Sequence, residues 1–80
     1  EDISEEAAIE TSRKALRNKF GISNASLDKY ACSATLMQDI NNQRKWYICF
    51  CTIVKPTQAN VQYQVTLDAK TSEIIICRKN

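Results

Sequence analysis

Val61–Cys77 reads VQYQVTLDAKTSEIIIC, and the fold turns on it. Val61, Tyr63, Val65 and Leu67 alternate with Gln62, Gln64 and Thr66, the period of a strand buried on one side. Asp68 to Ser72 follow as a turn-prone break, and Glu73–Cys77 forms a second apolar run. The pattern is that of a β-hairpin, and no catalytic group sits on it.

Working back from the hairpin, Lys55–Asn60 (KPTQAN) carries Pro56 and reads as a loop. Trp46–Val54 (WYICFCTIV) is the most β-prone segment, rich in aromatic and β-branched residues. Gln38–Lys45 (QDINNQRK) is turn-forming, and Tyr30–Met37 (YACSATLM) alternates as a strand. Ser23–Lys29 reads as a polar connector.

The first residues read as a helix with both ends marked. Ser4, or Asp2 with Glu5 three residues on, is placed to cap its start. Gly21 is the only glycine of the chain and stands where a left-handed residue ends a helix, with Ile22 next to fold back on Leu16. Ile9, Leu16 and Phe20 fall near one stripe, with Ala8, Ser12 and Ala15 beside it as small fillers. Acids lead this segment and Arg13, Lys14, Arg17 and Lys19 close it, which complements the helix dipole.

One helix and then four strands joined by short loops predict a single α+β domain over residues 1–80. The helix lies across one face of an antiparallel meander of order 1-2-3-4. Parity places Trp46, Ile48 and Phe50 under the helix, with Cys32, Ala34, Leu36, Val61, Tyr63, Val65, Leu67, Ile74 and Ile76. The other face then holds Ala31, Ser33, Thr35 and Met37, with Gln62, Gln64 and Thr66. It also holds the candidate interaction residues Tyr47, Cys49, Cys51, Ile53, Ile75 and Cys77, a mixed surface that is apolar on the second and fourth strands. An antiparallel sheet can leave such a face to solvent or to a partner.

At 80 residues, 44% hydrophobic and 25% charged, the composition is that of an ordinary globule whose small core supplies little net stability. A net charge of +2, spread along a helix face, does not make a nucleic-acid surface. Arg44 and Lys45 beside Trp46 and Tyr47 read as a strand flank. No hydrophobic run reaches membrane-spanning length. The chain starts at Glu1 with neither initiator Met nor signal pattern, as expected of a processed product or a piece of something longer.

The chain has no histidine, so a Ser-His or Cys-His nucleophile cannot be built within it. Asp39 and Asp68 fall in turns and Glu73 at a strand start, places for local hydrogen bonding rather than paired acid–base work. With no glycine-rich phosphate loop either, the expectation is a non-enzyme without cofactor. Cys32, Cys49, Cys51 and Cys77 admit three complete pairings, and sequence does not choose among them. In a meander none closes easily: Cys49 and Cys51 point the same way, and Cys77 lies two strands off. Cys-x-Cys on a strand is not the usual zinc knuckle. Free thiols are the reading favoured over a disulfide, within or between chains, and over metal.

Three segments carry a resemblance. Glu5–Ser23 (EEAAIETSRKALRNKFGIS), Lys45–Phe50 (KWYICF) and Tyr63–Ile76 (YQVTLDAKTSEIII) are similar, in that order, to the opening helix, the Trp-bearing strand and the closing hairpin of the PepSY domain family. The resemblance covers about two-thirds of the chain. It implies a non-enzymatic module, secreted or in the cell envelope, that restrains a peptidase or assists its maturation. Ser72 stands where the family favours Gly. The alternatives are a spacer domain of a longer exported protein, a homodimer through the outer sheet face, or a small-ligand carrier.

Overall fold

A computed structural model describes residues 1–55 and 57–80. Helix α1 spans Glu5–Phe20 and a one-turn helix, α2, Asn24–Leu27. Strands β1 (Ala31–Gln38), β2 (Arg44–Lys55), β3 (Gln58–Asp68) and β4 (Ile74–Lys79) follow. All pair antiparallel in the order β1-β2-β3-β4. The protein is an α+β domain, one long helix packed on a four-stranded meander.

The helix ends follow the sequence signals. Ser4 is the N-cap, its hydroxyl accepting from the Ala7 N–H at 3.1 Å. Gly21 ends the helix in the left-handed region (φ 69°), where a side chain would be strained, and its N–H donates to the Arg17 carbonyl. Ile22 packs against the core. The buried stripe, however, is Ala8–Ser12–Leu16. Ile9 is half-buried and Phe20 is 36% exposed at the rim, where its ring meets Tyr63 at 5.8 Å. Small residues at the closest approach let α1 lie near the sheet, and the Ser12 hydroxyl is satisfied by the Ala8 carbonyl at 2.8 Å.

Beneath the helix, Trp46, Ile48, Phe50, Tyr63, Val65 and Leu67 form the core, the bulky alternating set expected there. Leu27 is buried with them, so the connector Ser23–Lys29 is more than a polar link. It folds as α2, capped by Ser23, to bring one apolar side chain home. Helix α1 crosses β2, β3 and β4, leaving β1 largely beyond its span.

The loop expected over Lys55–Asn60 is shorter than that, because Gln58–Asn60 already pair with β2. Pro56 lies outside the described residues. Both remaining turns use an aspartate. Asp39 Oδ1 accepts the N–H groups of Asn41 and Gln43, and Asp68 Oδ1 those of Lys70 and Thr71. Each turn holds one positive-φ residue, Asn42 (63°) and Ser72 (66°). The first is tolerated by Asn; the second is the position where Gly would be unstrained.

The N-terminal residues are strapped to the last hairpin. The Ile3 N–H donates to the Ala69 carbonyl (2.7 Å), the Trp46 indole N–H donates to the Ile3 carbonyl (3.1 Å), and Arg44 pairs with Asp2 at 2.6 Å. Among the described residues no helix is long and apolar enough to cross a membrane.

Candidate functional site

Among the described residues, no further layer covers the sheet face away from α1. Its residues are set by strand register, which gives rows running across the sheet. Thr35, Tyr47, Thr66 and Ile76 form one row, Ser33, Cys49, Gln64 and Arg78 the next, and Ala31, Cys51 and Val61 a third. Tyr47, Cys49 and Cys51 therefore stand together as expected, and Ile53 continues the β2 side of this face opposite Ala59.

Two expected members are elsewhere. Cys77 lies opposite Val65 and packs against the core on the helix side. Ile75 sits with Ile74 at a bulge opposite Leu67, and Ile76 takes the open-face position. The bulge adds one residue to β4 and so inverts the parity counted through the three isoleucines. A second irregularity, between Phe50 and Cys51, has the same effect on β3. It carries Val61, expected under the helix, to the open face opposite Cys51.

At the centre of the face is a shallow depression of about 140 Å³ lined by Tyr47, Cys49, Gln64, Thr66, Ile76 and Arg78. Thr66 is only 6% exposed, walled by Tyr47 (37%) and Ile76 (43%). Arg78 donates from Nε to Gln64 Oε1 at 2.5 Å, which aligns its guanidinium along the rim. The result is a depression of mixed lining, floored by Thr66, with the Arg78 guanidinium beside it. Ile76 and Arg78 are the functional candidates that sequence reading missed, because IIIC has no alternation from which to read a face.

Three of the four thiols are shifted upward by burial. Burial pushes Cys51 above the ordinary thiol value, with neighbouring Cys49 adding to it, and burial likewise raises Cys77 against the opposing pull of Lys19. Desolvation raises Cys32 too, outweighing the nearby Arg13. Thiols shifted upward are protonated at neutral pH and are poor nucleophiles. All four cysteines are free. Among the described residues no three His, Cys, Asp or Glu side chains gather as a metal site would require.

The carboxylates in the turns are engaged as acceptors. The amide of Gln43 and the N–H groups of Thr71 and Lys70 hold Asp68 down to about 2. The Gln43 and Asn41 N–H groups, helped by Lys45, lower Asp39. Gln43 Nε2 reaches Asp68 Oδ2 at 2.8 Å, and Lys45 reaches Asp39 at 3.3 Å. One polar network thus joins the two turns at the same end of the sheet.

The sheet edges differ. On β4 the Lys19 ammonium donates to the Cys77 carbonyl at 2.6 Å, and the strand carries a bulge together with Arg78 and Lys79. On β1, residues Ala31–Met37 bear no charge, and their pairing with β2 runs without irregularity. No family model, no curated protein and no solved structure matches this chain.

Proposed function

We propose that the domain is a non-enzymatic, PepSY-like binding module, exported to the envelope or beyond, that holds a protein partner against its open sheet face and so modulates that partner. A peptidase is the partner that the family resemblance implies. The observation that carries the reading is the uncovered face itself. Tyr47, Cys49, Cys51 and Ile76 are gathered there around a floor already withdrawn from water, with Arg78 fixed at its rim. A surface that mixes exposed aromatic and aliphatic side chains with polar groups and Arg is a common form of protein-binding site. The engaged turn carboxylates and raised thiols favour binding over chemistry.

The test is a crosslinking pull-down from secreted and envelope fractions, with the wild-type domain and a Tyr47→Ala variant as baits. A peptidase captured by wild type, lost with the folded variant and altered in rate when the purified domain is added supports the modulator reading. Equal capture by both baits, or no change in peptidase rate, removes it. A face that captures nothing supports the spacer alternative.

A further inference from the structure

The small net charge of +2 hides a strong polarity along the strands. The acids that open α1, Asp2, Glu5 and Glu6, lie with those of the two turns, Asp39, Asp68 and Glu73, at one end of the sheet. At the other end Arg13 and Arg17 are balanced by Asp28 and Glu10. Lys19, Lys29, Lys55 and Lys79 stand there without a carboxylate partner among the described residues, with Lys14 and Arg78 set behind them. The helix dipole accounts for bases in the last turns of α1. It does not account for those that follow α2 and close β2 and β4, which spread the charge across the whole end.

A two-stranded ribbon projects from this basic end. Strand β1 pairs no further along β2 than Cys51, and β4 no further along β3 than Tyr63. Past those points β2 and β3 have only each other, through Thr52 with Asn60, Ile53 with Ala59 and Lys55 with Gln58. An isolated pair of strands is marginal in water, and this one leaves Ile53 58% exposed. Lys55 is its only charge. At the same end Phe20 is exposed at the close of α1, with the Lys19 ammonium 5.5 Å from its ring centre.

We propose that this end is a docking surface for an anionic lipid bilayer. The lysines meet the headgroups, each cation near such a surface adding to the attraction. Ile53 and Phe20 enter the boundary between headgroups and acyl chains. The unpaired main-chain groups along the ribbon edges keep it out of the hydrocarbon, and Thr52, Gln58 and Asn60 suit the interface. The acidic end then points away from the membrane. A nucleic-acid groove fits less well, because a ribbon entering one needs cations along its own length to meet phosphates, and here they stand behind it. Docking by this end leaves the depression between Tyr47 and Ile76 uncovered, so the inference stands apart from the partner reading above.

Cosedimentation with vesicles of mixed phosphatidylglycerol and phosphatidylcholine, against vesicles of phosphatidylcholine alone, tests it. The expected result is binding to the anionic vesicles only, weakening as salt rises. Lys29→Gln, Lys55→Gln and Lys79→Gln, all at exposed positions, should each weaken binding roughly fivefold. Lys70→Gln removes the same charge from the opposite end and should change binding by less than about twofold. Ile53→Ser should weaken it roughly 3–10-fold while keeping the circular dichroism spectrum of the wild type. No binding to anionic vesicles at low salt overturns the inference. So does a loss from Lys70→Gln equal to that from Lys79→Gln, which makes net charge alone the cause. Displacement from the vesicles by a short DNA duplex at equal phosphate concentration also overturns it, in favour of a nucleic-acid surface.

Discussion

The two faces of the sheet are made from similar materials and behave differently. Both carry aromatic, aliphatic and thiol side chains on the same four strands. Under α1, however, Trp46, Ile48, Phe50, Val65 and Leu67 are sealed, whereas on the open side Tyr47, Ile53 and Ile76 keep between a third and two-thirds of their surface exposed. The difference lies in what each face meets. Ala8, Ser12 and Leu16 bring a helix backbone close to one side; among the described residues no element returns over the other. The buried core therefore resides on one face of the sheet.

The sharpest way to break this division is Trp46→Ala. It empties a large core site and removes the indole bond to Ile3, and truncations of this kind cost about 3–5 kcal/mol, enough to leave so small a domain largely unfolded by circular dichroism. Next is Ser12→Leu, a change that looks favourable on an apolar helix stripe. Because Ser12 is fully buried at the close approach, overpacking should lower the urea midpoint by the equivalent of about 1–3 kcal/mol. Ser12→Ala should be nearly silent by the same measure.

Smaller again, and of opposite sign, is Ser72→Gly. It relieves a positive φ in the turn that aligns β3 with β4, and it should raise stability by roughly 0.5–1 kcal/mol with neither face rearranged. The same turn has a pH signature. Its Asp68 is held at about 2, below its ordinary 3.8. The stability it contributes is complete above the ordinary value and is lost as pH falls through that interval. In Asp68→Asn this component of acid unfolding should disappear. The smallest effect is expected from Tyr47→Ala: a melting temperature within the scatter of surface substitutions, about 0.5 kcal/mol or less, with partner binding lost. If Tyr47→Ala unfolds the domain, the division between the faces is wrong.

Much of the fold was legible because its signals are local. Ser4, Gly21 and the paired turn aspartates mark boundaries through hydrogen bonds to their own neighbours. Alternation in Tyr30–Met37 and Trp46–Phe50 carried those strands to the correct faces. What could not be read depends on counts that periodicity does not contain. One extra residue at Ile74–Ile75, and another beside Gln62, inverts every assignment beyond it. Cys77 and Ile76 exchanged places for that reason, and Val61 crossed to the open side.

Leu27 was hidden differently. A lone apolar residue in a polar connector has no period to betray it, and only the turn of α2 points it inward. On the helix, the larger Ile9 and Phe20 drew attention from the small Ala8 and Ser12, whose size decides the contact. The β2 half of the candidate site was thus readable, while the β4 half, Ile76 and Arg78, required the register itself.

The strap at the N-terminus has a consequence for how the chain is made. Ile3 is held by Ala69 and by the Trp46 side chain, yet Ala69 follows β3, so three of the four strands are made before it. Helix α1, which precedes every strand, is short enough to be marginal alone, and this strap cannot hold it until the β3–β4 turn has been made. Through that interval the β1–β2 hairpin is already able to form, with its uncharged edge and the aromatic side of β2 both unprotected. A nascent chain in this state is a substrate for chaperones and for its neighbours on the same message. The final hairpin then serves as the latch that ends its exposure.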